Sequence, residues 1–240
     1  LKGARLKLVA VIIVILVGVS AYILYERRSS GGVKPTGKLT PAQSLKDIVL
    51  SVSSLKYTMS LDNSTYHDSY YVAYQYVGGS GSTGSIRVEV SKPPMNITIK
   101  INRDNGTVYS VTIDNGTGVT VYNGSRAPYI GFNVLKDALM PLVNPSMMSQ
   151  IVDWSTMTSI DKNFQLRLLG SKEIVVSGRK YEAYMLQLTQ PTGASNPIPG
   201  FVKMTYTVLD WKGMPVVYEM KVYRSDGVVT MHLDFFQPSK

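Results

Sequence analysis

From Lys56 onward, apolar and polar residues alternate with a period of two over most of the chain. "KYTMSL", "SYYVAYQYV", "SIRVEV" and "NITIKIN" follow one another, divided by short runs of Gly, Ser, Asn and Pro. Alternation of this kind predicts strands with one buried face, joined by turns. The second of them is rich in tyrosine at both inward and outward positions.

The stretch Asp104 to Ser125, "DNGTVYSVTIDNGTGVTVYNGS", holds Asn-Gly three times between runs of β-branched and aromatic residues. Asn-Gly supplies the positive φ angles that tight hairpins need, so the stretch reads as a meander of short strands.

The period then changes. In "APYIGFNVLKDALMPLVNPSMMSQIVDWSTM", Leu135, Leu139, Met140, Met147, Met148, Ile151 and Trp154 recur at helical spacing, and Pro141 and Pro145 cut the segment into pieces. A helical insert is expected at about 132–157. After Phe164 the alternation returns in "FQLRLLG", "EIVVSG", "KYEAYMLQLT", "FVKMTYTVLD", "MPVVYEMKVYR" and "VVTMHLDFF". Ahead of the first strand, "TPAQSLKDIVLSVSSL" predicts a helix, with Thr40 as N-cap, Pro41 in the first turn and Gln43 completing a capping box. Its apolar stripe is Leu45, Ile48, Val49 and Val52.

About six strands, a helical insert and about six more strands make a mostly antiparallel sheet too long to stay flat. Such a sheet curls, and its inner apolar face must be covered. The first helix and the insert are the available covers. No repeat of twenty to fifty residues stands out, which argues against a solenoid or propeller.

Leu8 to Tyr25, "LVAVIIVILVGVSAYILY", contains no charge in eighteen residues. As a helix it spans about 27 Å, close to the thickness of a bilayer core. Lys7 and Glu26-Arg27-Arg28 flank it, and Tyr22 and Tyr25 stand near one interface. Residues 1–28 therefore read as a retained membrane anchor. A cleaved signal peptide is the alternative, with Val19-Ser20-Ala21 as its cleavage site, although the apolar run continues past it. A pilin-like filament stem is another, but Arg5 and Lys7 would be costly in a filament core. Residues 29–39 are rich in Gly and Ser and read as a flexible linker. Residues 40–240 form the β domain.

The net charge of +9 does not indicate nucleic acid. Lys2, Arg5, Lys7, Arg27, Arg28, Lys34 and Lys38 stand against Glu26, so most of the excess belongs to the N-terminal segment. Cysteine is absent, which removes disulfides, thiolate metal sites, a cysteine nucleophile and bacterial lipidation.

Five asparagines fit the acceptor pattern Asn-x-Ser/Thr: Asn63, Asn96, Asn105, Asn115 and Asn123. Asn144 and Asn196 fail it because Pro follows. Three of the five are also turn residues, so turn chemistry and glycosylation are compatible readings. Glycans would place residues 29–240 outside the cell, in a single-pass cell-membrane protein. Acceptor sites without cysteine or a lipidation site suggest an archaeal surface protein.

Chemistry-bearing motifs are sparse. His67 and His232 are distant in sequence, the acidic residues are scattered, and no nucleophile elbow, P-loop or dinucleotide fingerprint occurs. No enzyme, metal or cofactor is expected.

"GSKEIVVSGRKYEAYMLQLT" and "MTYTVLDWKGMPVVYEMKVYRSDGVVTMHLDFF", with "KPPMNITIKIN" and "DNGTGVTVYNGS" before the insert, resemble the LolA-like and mycobacterial LppX-like superfamily of lipoprotein and lipid carriers over roughly residues 40–237. The resemblance implies a half-barrel closed by helices around an apolar cavity. The chain departs from bacterial carriers in its anchor, which fits local binding better than shuttling.

The expected fold is α+β and mostly β: one transmembrane helix, then a curled antiparallel half-barrel covered by short helices. The expected function is binding of a lipid, lipoprotein or other apolar ligand, lined by Leu135, Leu139, Met140, Met147, Met148, Ile151 and Trp154. The alternative is a structural subunit of a surface filament, envelope layer or membrane complex, with partner subunits and no ligand.

Overall fold

The computed structural model describes residues 45–143, 152–153, 158–159, 165–189 and 200–239. The anchor, the linker, Thr40, Pro41 and Gln43 lie outside the described residues, as do Met147, Met148, Ile151 and Trp154. Among the described residues no helix is long and apolar enough to cross a membrane.

Helix α1 (Leu45–Ser51) runs directly into strand β1 (Val52–Asp62). Five strands follow: β2 (His67–Gly78), β3 (Thr83–Ser91), β4 (Pro94–Asn102), β5 (Val108–Asp114) and β6 (Val119–Asn123). Helix α2 (Arg126–Ala138) precedes a two-residue ribbon, β7 (Val152–Asp153) and β8 (Thr158–Ser159). Strands β9 (Gln165–Val176), β10 (Arg179–Thr189), β11 (Phe201–Trp211), β12 (Met214–Arg224) and β13 (Gly227–Pro238) complete the fold.

Among the described residues eleven strands form one antiparallel sheet in the order β6-β5-β4-β3-β2-β1-β13-β12-β11-β10-β9. Each half of the chain is a simple meander, and the two meanders join where β1 pairs with β13. Alternation puts one residue in two on the inner face. One inner rung runs Ile113, Ile97, Val88, Tyr74, Leu55, Phe236 across six strands, each partner set opposite the next by the register. Leu55 and Phe236 are fully buried at the junction.

The second meander curls back on itself. Strands β10 and β11 bury residues on both faces: Leu186 and Leu188 against Tyr181 and Ala183, and Met204 and Tyr206 against Leu209. Phe236 stacks edge-on against Trp211 at 5.2 Å and lies 6.3 Å from the Tyr181 ring. The Phe236 N–H donates to Ser177 Oγ at 3.0 Å, which fastens the tip of the β9–β10 hairpin to β13. Ser177 (φ 52°) and Gly178 (φ 75°) both take positive φ, the geometry of a tight two-residue hairpin.

Four sequence expectations change. "FQLRLLG" and "EIVVSG" are one strand, β9, bent at Gly170, whose φ of 150° accompanies a register shift opposite Met185 and Leu186. The second meander therefore has five strands. Val52 opens β1 and does not extend the helix. The insert begins at Arg126 rather than near 132, because a Pro in the first turn, here Pro128, sits where no intrahelical N–H bond is required, and it is not wholly helical, since it contains β7. Consequently two of the three Asn-Gly pairs make hairpins, with Gly106 at φ 74° and Gly116 at φ 77°, while Asn123-Gly124 ends β6 and leads into α2.

Candidate functional site

Two tyrosines hold the helices on the inner face. A buried tyrosine hydroxyl is usually hydrogen-bonded. Tyr74, on β2, donates to the Val49 carbonyl at 3.0 Å, and Tyr57, on β1, donates to the Asp137 carbonyl at 2.6 Å. Val49 and Asp137 lie in the last turns of α1 and α2, where carbonyls lack intrahelical donors. The sheet thus caps both helices from below. Burial raises the Tyr57 and Tyr74 hydroxyls well above the ordinary tyrosine range, with Tyr70 and Asp137 adding to Tyr57 and Tyr76 adding to Tyr74. Tyr70, on β2 and one rung beyond Tyr57, is pushed up to about 12 by burial and secondarily by Asp137.

The helices do not meet over the whole sheet. Between them and the β4–β5 turn lies a groove of about 300 Å³. Leu45, Val49 and Leu50 form the α1 wall, and Pro128, Phe132 and Leu135 form the α2 wall. Ile101 and Val108 make the floor, and Asn105, Gly106 and Thr107 make the rim. The volume is at the low end of the range for small-ligand pockets, and an apolar lining with a few polar rim groups is typical of them.

Side-chain turns order the rim. Asn102 Oδ1 accepts from the Asp104 N–H at 2.8 Å, and Asn105 Oδ1 accepts from the Thr107 N–H at 2.9 Å. The Asn102 N–H donates to the Thr107 carbonyl and the Gly106 N–H donates to the Asn102 carbonyl, both at 2.8 Å, which closes the turn. Close packing seats α2 just behind the groove. A Cβ on Gly131 would stand 2.7 Å from a Val108 methyl, so only glycine permits this approach.

Of the expected lining residues, Leu135 borders the groove. Leu139 is fully buried in the core beneath it, and Met140 is half-buried against the same core. The other four lie outside the described residues. The α1 wall and Phe132 were not anticipated as lining, although the Ile48 and Val49 stripe had marked α1 as a cover.

All five acceptor asparagines are exposed. Asn63 Oδ1 accepts from the N–H and hydroxyl of Thr65, and Asn115 Oδ1 accepts from both groups of Thr117. Asn63 and Asn115 occupy turns at one end of the first meander, with Asn96 close by on β4, while Asn105 is at the opposite end, on the groove rim. Asn123 is also at the groove end, where β6 stops.

His67 contacts Asp62 at the β1–β2 turn, and His232 packs edge-on against Tyr218 at 4.8 Å on the second meander. The two are not brought together. Among the described residues no group of three or more His, Asp or Glu side chains is placed to hold a metal.

No protein-family model and no curated protein sequence matches the chain. Solved structures do. Lipoprotein LppX from Mycobacterium tuberculosis is 10% identical, with 81% of this chain and 92% of that one covered and a TM-score of 0.30. LprF from Mycobacterium bovis is 10% identical over 82% and 94%, with a TM-score of 0.33. An outer membrane lipoprotein-sorting protein domain from Vibrio parahaemolyticus is 10% identical over 91% and 92%, with a TM-score of 0.28.

The chain is similar to LppX-type and lipoprotein-sorting structures. LppX, whose type was named with the strand and turn pattern, is among these structures. At these scores no ligand or residue role passes from those proteins to this one.

Proposed function

We propose that the chain is a membrane-anchored extracellular glycoprotein that binds a lipid, lipoprotein or other apolar ligand by an acyl-like portion, without catalysis. The observation that carries this reading is the groove: its floor and both helical walls are apolar, and its polar groups are confined to one rim. Such a lining selects by shape and burial, and it offers no charged group to fix a polar substrate. The likeness to a lipoprotein-sorting domain and to the lipoprotein LppX is in keeping with it. The anchor and the glycans rest on the sequence alone, on Leu8 to Tyr25 and on the five acceptor asparagines.

The test is mass spectrometry of lipids extracted from the domain released from its membrane and purified without detergent. A stoichiometric lipid is expected, and Leu135→Trp, which fills the groove, is expected to lose it. A folded domain that carries no lipid and takes up no fluorescent fatty acid would overturn the proposal.

A second reading, a structural subunit, is favoured by one feature. Among the described residues edge strand β6 has a strand partner on one side only, and it exposes Val119 and Val121, 64% and 53% accessible. A free apolar edge is a template for another strand. Edge pairing would show as oligomers in sedimentation that Val121→Lys abolishes.

A further inference from the structure

Helix α2 buries Ala127, Gly131, Leu135 and Ala138 and turns a second face outward. At 3.6 residues per turn, Tyr129, Phe132 and Lys136 share that outer face. Tyr129 is 71% and Phe132 51% accessible, although large aromatic side chains at adjacent turns are normally covered. Phe132 also borders the groove, so this face and the groove mouth are continuous.

The topology sets where this end of the molecule points. α1 enters β1 at the end of the sheet that carries the β4–β5 turn, and it forms one wall of the groove. The chain before Leu45 therefore arrives beside the groove. Nineteen residues, 26–44, separate Leu45 from the uncharged run that ends at Tyr25. Of these, the Gly- and Ser-rich stretch 29–39, read as a flexible linker, has a root-mean-square reach of about 18 Å. That is shorter than the roughly 30 Å length of a nine-residue strand such as β4. The groove end, not the far end, is thus on average the nearer one to the surface from which the chain emerges.

We propose that the Tyr129–Phe132 face of α2 docks on the bilayer that holds the chain, with the rings at the headgroup level and the groove mouth opening into the lipid. This rests on the anchored, lipid-binding reading and extends it, since ligand would pass between bilayer and groove without crossing water. Aromatic rings favour the membrane interface. On α1, α2 and the β4–β5 turn, Lys46, Arg103, Arg126 and Lys136 stand against Asp47, Asp104 and Asp137 in number, which nearly balances, so the contact is chiefly apolar. It should bind neutral and anionic lipid alike and respond little to salt.

Because cysteine is absent, single cysteines report cleanly. The full chain carrying Phe132→Cys, or Thr98→Cys on the exposed side of β4, is labelled with an environment-sensitive dye. It is reconstituted in phosphatidylcholine vesicles, with and without phosphatidylglycerol, containing spin-labelled lipid. Several-fold stronger quenching at position 132 than at 98 is expected in both lipids, and Tyr129→Ser should reduce it. Equal quenching at the two positions, in vesicles that carry the protein on flotation, would overturn docking and leave the anchor intact. Failure to float would remove the anchor and the docking together. Selective quenching in a protein that yields no bound lipid would establish docking and overturn the lipid-binding reading alone. Tyr129 does not line the groove, so its loss separates the two roles.

Discussion

The Tyr57 hydroxyl reaches the Asp137 carbonyl at 2.6 Å and fixes the C-terminal turn of α2 to the floor of the sheet. Tyr74 does the same for α1 through Val49 at 3.0 Å. The helices are covers fastened at one point each, so the two fastenings should be separable.

Tyr57→Phe removes a donor from a carbonyl that also lies near the Leu139 N–H, and a cost of about 1 kcal/mol is expected. Tyr74→Phe leaves the buried Val49 carbonyl with less compensation, and about 1–2 kcal/mol is expected. Urea unfolding should show lower midpoints with an unchanged slope. Amide exchange should quicken in α2 for the first variant and in α1 for the second. Quickening of both helices in either variant would mean that the covers move as one unit.

Gly131 tests the packing of α2. A Cβ at 131 meets both Val108 methyls, at 2.7 and 2.9 Å, and a β-branched side chain cannot swing aside. Gly131→Ala should destabilise by about 1–3 kcal/mol, despite alanine's better helix propensity. Adding Val108→Ala should recover part of that loss. The check is a double-mutant cycle: a coupling energy near zero would show that α2 sits further from β5 than these distances state.

What could be read from the sequence follows from how local each signal is. Period-two alternation put Tyr57 and Met59 on one face before any partner was known, while Leu55 was read with the helix. Ile48 and Val49 identified α1 as a cover by spacing alone. The fastenings were beyond reach because their partners are 25 and 80 residues away, and a backbone carbonyl leaves no mark in a sequence. The tyrosines at inward positions were the available clue, since such hydroxyls need acceptors. Gly170 read as a break between strands because a bend and a turn use the same residue. The groove was half legible: Leu135 was placed by its helical spacing, but Ile101, Val108 and the α1 wall meet it only after the sheet curls.

Alkaline pH should loosen the molecule through its inner tyrosines. Burial raises Tyr57, Tyr70, Tyr74 and Tyr206 above the ordinary value of about 10. Below pH 10 these groups are neutral in both the folded and unfolded chain and contribute no pH dependence. Above it the unfolded chain releases their protons first and so binds fewer, and stability falls. The fall should continue toward pH 12, where Tyr70 ionises in the folded protein. Urea midpoints measured from pH 8 to 11 should be flat and then decline, and Tyr57→Phe should make the decline shallower. A decline as steep in that variant would assign the effect to other groups.

The placement of the acceptor asparagines predicts an uneven glycan pattern. Asn63, Asn96 and Asn115 are at or near the end of the sheet remote from the groove, while Asn105 forms its rim. Asn63 and Asn115 are exposed, and in each the side-chain oxygen accepts from the Thr two residues on, bonds that do not use the amide nitrogen. A glycan there meets neither helix nor groove. At Asn105 it would stand over the mouth, beside Phe132, and would obstruct both ligand entry and contact with a bilayer. Glycopeptide mass spectrometry of the native protein should therefore find Asn63 and Asn115 occupied more often than Asn105. Asn105→Gln should leave lipid recovery unchanged or raise it. Full occupancy at Asn105 in a protein that still yields bound lipid would mean that ligand enters by another route, and the α2 face would lose its place at the membrane.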